Sequence, residues 1–122
     1  PRFISAAKAG RPLTIFGDGE QTRDFVFVKD VVQANILAAT DEKHHGEVFN
    51  VANQEKVTVN LLASLVLRTL DLEEEGNIIH QEERKGDVKH SLADIGKARH
   101  MLGYAPGHSL KDGLQQTVAS MQ

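Results

Sequence analysis

The chain has no cysteine and no tryptophan, a single tyrosine and only three prolines. Without cysteine there is no disulfide, no thiolate zinc site and no cysteine nucleophile. No apolar run approaches the ~20 residues of a membrane helix, and no signal-peptide pattern is visible, so a soluble, cytoplasmic protein is the expectation. Excess positive charge is also lacking. A formal net charge of −3 gives no bulk attraction to nucleic acid or to an anionic membrane, so an anionic ligand has to be met by local basic groups. The six histidines form no metal set: His44 and His45 are adjacent rather than on one helical face, and no carboxylate lies at ligand spacing. Gly17-Asp18-Gly19 is no dinucleotide fingerprint, because no third glycine follows and no helix opens there.

What is present makes one domain of alternating short strands and helices, an α/β class, over residues 1–122. Pro1 opens without methionine, and Phe3, Ile4 and Ala7 already stand at helical spacing with Gly10 behind them. This reads as a chain entered partway through a longer protein. The pattern predicts a helix over 1–9, a strand over 13–16 ending at the Gly17-Asp18-Gly19 turn, and a buried strand over 25–28. A helix follows over 29–41, with Asp30 in its first turn and apolar residues around enough of its circumference to be buried on several sides. Val48 to Val51 reads as another buried strand. Thr58 is an N-cap for an amphipathic helix carrying Leu61, Leu62, Leu65, Val66 and Leu70 on its apolar side. Asn77 to His80 forms a short strand. Two helices close the chain, one burying Ile95, Ala98 and Leu102, the other opening on the capping-box pair Ser109 and Asp112. Strands so short and few make a weak sheet, which predicts pairing or packing with an N-terminal part.

Two segments carry chemistry. Arg23 stands between the glycine turn and the apolar run at Phe25. It is either a structural arginine paired with a carboxylate or one held at a strand end to meet phosphate, where its planar fork gives charge-assisted bonds. Arg84-Lys85-Gly86-Asp87 is either a solvated turn or a loop offering Arg84 to phosphate and Asp87 to sugar hydroxyls. Asn50 interrupts an apolar run and needs hydrogen-bond partners, from backbone or from a ligand.

Taken together, Arg11-Pro12-Leu13-Thr14-Ile15-Phe16-Gly17-Asp18-Gly19 through Arg23-Asp24-Phe25 to Val32, then Gly46-Glu47-Val48-Phe49-Asn50-Val51, Arg84-Lys85-Gly86-Asp87, Ala93-Asp94-Ile95-Gly96-Lys97-Ala98 and Leu102-Gly103-Tyr104, resemble the extended short-chain dehydrogenase/reductase family of NAD-dependent nucleotide-sugar epimerases and dehydratases. The likeness runs from end to end in the family's order and is greatest to UDP-glucose 4-epimerases. It implies the C-terminal substrate-binding region of an extended Rossmann-type enzyme, with the N-terminal Rossmann half absent. By position, Arg23 and Arg84 resemble arginines that hold the diphosphate of a nucleotide sugar. Asp87 resembles the ribose acceptor, Asn50 an asparagine of the nucleotide pocket, and Thr14 and Phe16 the strand that faces the base.

The resemblance further implies a parent enzyme that uses NAD to oxidise C4 of a UDP-sugar, lets the keto sugar turn and reduces it again. The family's glycine-rich NAD loop and its catalytic tyrosine and lysine have no counterparts here, and Tyr104 has no lysine four residues on. The chain alone is therefore expected to carry no catalytic residue, no metal, no bound NAD and no activity. Its expected partners are the nucleotide sugar and the Rossmann half, with a homodimer left open for the parent. A 4,6-dehydratase or a decarboxylase of the same family would share this region, and a stand-alone nucleotide-sugar binding module is the rival from another class. Two departures from the family are visible. Ala52 and Asn53 stand where glycine is usual, and Ser91 replaces an aromatic found in some epimerases.

Overall fold

The computed structural model describes residues 1–121. Helix α1 (Arg2–Lys8) leads into strand β1 (Leu13–Phe16), and β2 (Thr22–Arg23) follows the glycine turn. Then come α2 (Val28–Thr40), β3 (Val57–Thr58), α3 (Val59–Thr69), β4 (Ile78–Gln81), α4 (Gly96–Leu102) and α5 (Leu110–Ser120). The strands make two separate pairs. β1 runs parallel to β4, Leu13 opposite Ile78 and Phe16 opposite Gln81, whereas β2 is antiparallel to β3, Thr22 opposite Thr58.

Two apolar clusters hold these elements. Leu13 and Ile15 of β1 are buried with Ile4 and Ala7 of α1, Ala63, Val66 and Leu67 of α3, and Leu114 of α5. Each fully buried aliphatic side chain stabilises the fold by about 1.5–3 kcal/mol. The second cluster joins Ala34 of α2 to Ala52, Ile95, Ala98 and Tyr104. Helix ends follow their local chemistry. The Thr58 hydroxyl accepts the Leu61 NH at 3.1 Å, and the Ser109 hydroxyl accepts the Asp112 NH at 3.2 Å. Both caps are where the sequence puts them. Lys8, in the last turn of α1, donates to the carbonyls of Val118 and Met121 near the end of α5, where a cation suits the helix dipole.

Three expectations need correction. Residues 25–28 are not a strand: Phe25, Val26 and Phe27 form a half-buried connection and Val28 already begins α2. Their side chains pack downward instead, lining an apolar cavity of about 480 Å³ with Leu62, Val66 and Leu114. Phe27 lies so close to α5 that a Cβ on Gly113 would meet its ring at 3.1 Å. Residues 48–51 are likewise not a strand. Val48 is 81% exposed and no described strand lies beside them, so an apolar run has no ladder to join. Finally, α2 buries only Asp30 and Ala34, while Val28, Val32 and Ile36 form an exposed apolar stripe.

Candidate functional site

Alternation along β1 builds the floor of the site. Leu13 and Ile15 point into the core, so Thr14 and Phe16 must emerge on the opposite side, where both line a cavity of about 730 Å³. The turn after β1 is fixed on the N-terminus of α3. The Asn60 backbone NH donates to the Gly19 carbonyl (3.0 Å), and its side-chain amide donates to the carbonyl of Asp18 (2.9 Å) and the carboxylate of Glu20 (2.7 Å). Glycine is strongly favoured at 19, because its φ is +77° and a Cβ would fall 1.9 Å from Asn60 Oδ1 and force that side chain aside. Gln21 returns to the strand end, its amide donating to the Phe16 carbonyl at 2.8 Å.

The facing wall is the segment between β4 and the Thr22 bridge. It is tied at one end by the Gly17 NH to the Gln81 carbonyl (2.9 Å) and at the other by the Thr22 NH to the Lys89 carbonyl (2.8 Å). Between these ties every residue from Glu82 to Lys89 is exposed. Arg23 fastens the middle. Its guanidinium donates to Asp87 Oδ1 (2.6 Å), to the Val88 carbonyl (2.5 Å) and to its own neighbour, the Thr22 carbonyl (2.8 Å). At the free end of the same turn, the Arg84 guanidinium lies over the Phe16 ring, 3.7 Å from its centroid.

Four of the residues singled out from the sequence thus come together, since Thr14, Phe16, Arg84 and Asp87 all line the larger cavity. Arg23 stands behind this wall and reaches the cavity through Asp87. Its carboxylate partner is Asp87, distant in sequence, and not the adjacent Asp24. Asn50 is not brought in: it is exposed, and its amide donates to the Asp94 carbonyl at 3.2 Å. Sequence reasoning missed Arg2, Arg11 and Lys85, which line the same cavity. Arg2 opens α1 and Arg11 follows it, but the residues nearby carry no pattern that tells which way they face. The cavity wall therefore carries four cationic side chains (Arg2, Arg11, Arg84, Lys85) against the single carboxylate Asp87, inside a chain of net charge −3. A flat ring platform beside concentrated positive charge suits a ligand with an aromatic end and an anionic one.

The remaining polar residues are scaffold. Asp24 accepts the backbone NH groups of Asn53 (3.0 Å), Gln54 (3.1 Å) and Ala93 (3.3 Å), fixing a turn in which Gln54 takes a positive φ of 59°. A carboxylate thereby holds the turn that lacks the family's glycine. Asp30 is buried and accepts from the NH groups of Gly107 (3.0 Å) and His108 (3.2 Å), with His108 Nδ1 at 2.8 Å. Burial pushes its pKa up, but these hydrogen bonds and the His108 charge prevail and hold it below the ordinary value. The Tyr104 hydroxyl donates to the Ala52 carbonyl at 3.0 Å, and burial, reinforced by Asp30 and Asp24, raises its pKa. Tyr104 thus stays a neutral phenol and a packing residue. The Gly17–Gly19 turn does not fit a dinucleotide: Gly19 packs against Asn60 and leaves no open backbone cradle for a pyrophosphate. No helix among the described residues is long and apolar enough to cross a membrane.

The model of the NAD dependent epimerase/dehydratase family matches residues 1–52. The UDP-glucose 4-epimerase of the hyperthermophile Thermotoga maritima, solved with UDP-glucose, superposes over 96% of this chain with a TM-score of 0.86 and 41% identity. The chain is similar to the C-terminal part of the NAD-dependent epimerase/dehydratase family. It aligns with the C-terminal 37% of that structure, as an α/β C-terminal part of the extended short-chain dehydrogenase/reductase fold. The uncharacterised UDP-glucose epimerase YtcB of Bacillus subtilis is 37% identical over 97% of this chain, and UDP-glucuronic acid decarboxylase 2 of Arabidopsis thaliana 38% identical over 95%. The chain spans 37% of the length of the former and 25% of the latter.

Proposed function

We propose that this chain is the nucleotide-holding portion of an NAD-dependent nucleotide-sugar epimerase of the UDP-glucose 4-epimerase kind. The observation that carries the reading is the meeting of Phe16 and Arg84 in one cavity, an aromatic face with a guanidinium upon it. On this reading Phe16 and the Thr14 strand edge receive the base. Arg84 binds the diphosphate, Asp87 accepts from the ribose hydroxyls, and Arg23 sets the position of Asp87 while lending its charge to the phosphates. Asn50 lies apart from this set, engaged by Asp94. Holding the nucleotide at one end lets binding energy position a sugar whose reacting carbon lies elsewhere.

The described residues include no dinucleotide cradle, and no step through NAD is derived from them. C4 oxidation and re-reduction are assigned to a partner Rossmann half, and the chain alone is inactive. A second reading within the family, a decarboxylase or dehydratase fragment, draws support from the Arabidopsis relative. It requires the same nucleotide grip and differs only at the sugar end.

Isothermal titration tests the grip. UDP binds the 122-residue chain, and Arg23→Ala and Arg84→Ala each weaken binding about tenfold or more, as expected for losing a hydrogen bond to a charged group. Failure of the wild-type chain to bind UDP overturns the reading. Conversion of UDP-glucose to UDP-galactose by this chain with added NAD overturns the assignment of catalysis to another half.

A further inference from the structure

The Arg84–Phe16 contact does more than mark a binding site. Phe16 borders two cavities, whereas Arg84 lines only the larger one, so the guanidinium covers the ring face that looks into the larger cavity. At 3.7 Å from the ring centroid it leaves no room for a second flat group on that face. We propose that Arg84 is a displaceable cover on Phe16: phosphate draws the guanidinium away and so opens the ring face on which a nucleobase stacks.

This inference rests on the reading of the cavity as a nucleotide site, and it adds an order of events and a coupling between two parts of one ligand. Three features of the wall make the displacement feasible. Arg84 is exposed and its guanidinium takes part in no ion pair among the described residues, so only the ring contact holds it. The Arg84–Asp87 turn, closed by the Asp87 NH to the Arg84 carbonyl at 3.2 Å, is fastened at its far end by Arg23. The Arg84 end is therefore the one that can swing while the Asp87 end stays. A phosphate oxygen also offers charge-assisted, planar hydrogen bonds, which outcompete one exposed cation–π contact.

The consequence is a filter. A nucleoside without phosphate must displace Arg84 with nothing to hold the side chain elsewhere, whereas a nucleoside diphosphate supplies the anion that removes the obstacle.

Titrating the 122-residue chain with UDP, uridine and inorganic pyrophosphate, as wild type and as Arg84→Ala, reads both halves of this coupling. UDP affinity should fall about tenfold in the variant, whereas uridine should bind about two- to fivefold more tightly, the equilibrium weight of one exposed cation–π contact. Pyrophosphate alone should shift the Phe16 ring proton resonances of the wild type and leave those of Arg84→Ala in place. Uridine affinity that is unchanged or lower in the variant, or Phe16 resonances indifferent to pyrophosphate, overturns the cover. Failure of UDP to bind the wild type instead overturns the nucleotide reading beneath it.

Discussion

The two walls of the large cavity are built in opposite ways. The β1 wall stands on the main core: Leu13 and Ile15 are 0% and 1% exposed, and the turn that follows is clamped by Asn60 from α3. The wall of residues 82–89 has no buried side chain, and it is held by the Arg23–Asp87 ion pair, the Arg23 bond to the Val88 carbonyl, the Arg84–Phe16 contact and a few backbone bonds. Local stability follows buried contacts, so the first wall should open only with global unfolding and the second far more readily. On the proposed reading, recognition is divided between a fixed bed, which sets where a ring can lie, and an adjustable flank that brings charge to it.

The largest expected effect tests the bed. Leu67 of α3, 1% exposed, packs in the cluster beneath β1, and Leu67→Ala should cost about 2–5 kcal/mol in urea unfolding. Lys85→Ala, in the flank, should stay within about 0.5 kcal/mol. Equal losses at the two positions would erase the distinction between the walls.

Asp30 supplies the next largest effect and a pH dependence. It ties α2 to residues 107–108, and through Ser109 to the start of α5. Asp30→Asn removes the charge from three hydrogen bonds and should cost about 2–3 kcal/mol at pH 7. The folded-state pKa of Asp30 lies below its ordinary value, so its contribution is fully present above the unfolded carboxylate range near pH 4. It is lost as pH falls through the lower folded value. Thermal melts of wild type and Asp30→Asn should therefore converge as pH falls below the unfolded carboxylate range near pH 4. A constant difference across that range would show that Asp30 acts by shape and not by charge.

Legibility in the sequence divides along the same line. Elements defined by local chemistry were readable: the Thr58 and Ser109 caps, the α3 stripe and the strand β1 itself. Segments whose state depends on a neighbour were not. Phe25–Val28 and Val48–Val51 have strand composition, but strand formation needs a partner edge and none of the described strands supplies one. In the candidate site, Arg84, Asp87, Phe16 and Thr14 were singled out through the order of motifs, and they line one cavity. The pairing of Arg23 with Asp87 spans 64 positions, and no local pattern encodes it. Arg2 and Arg11 escaped notice because charge at a helix end looks the same whether it faces water or a cavity.

Gly19→Ala tests the clamp between bed and turn at a smaller scale. The substitution puts a methyl at an already positive φ and 1.9 Å from Asn60 Oδ1, so Asn60 must give up its hold on Asp18 and Glu20. A loss of about 1–3 kcal/mol is expected, with UDP affinity reduced because Phe16 loses a fixed neighbour. Gly86→Ala, in the flank, has a positive φ of +84° but nothing within 4 Å of an added Cβ, so its cost should be confined to backbone strain. A Gly86→Ala penalty as large as that of Gly19→Ala would mean that the clash with Asn60 contributes nothing.

The smallest effect on stability, at Asp87, is the most discriminating for the flank. The Arg23–Asp87 pair is about one-third exposed, 29% and 34% for the two side chains, so Asp87→Ala should change global stability by no more than about 1 kcal/mol. Its consequence is local. With the middle fastening cut, the Thr22 NH, bonded to the Lys89 carbonyl, and the Ser91 NH, bonded to the Thr22 carbonyl, should exchange with solvent faster. The Asn60 NH, which holds the turn of the opposite wall, should keep its protection. If all three amides accelerate together, the two walls open as one unit and the flank has no independent motion. If only Thr22 and Ser91 respond, Arg23 acts first as the anchor of a movable wall, and its charge reaches a ligand through the carboxylate it restrains.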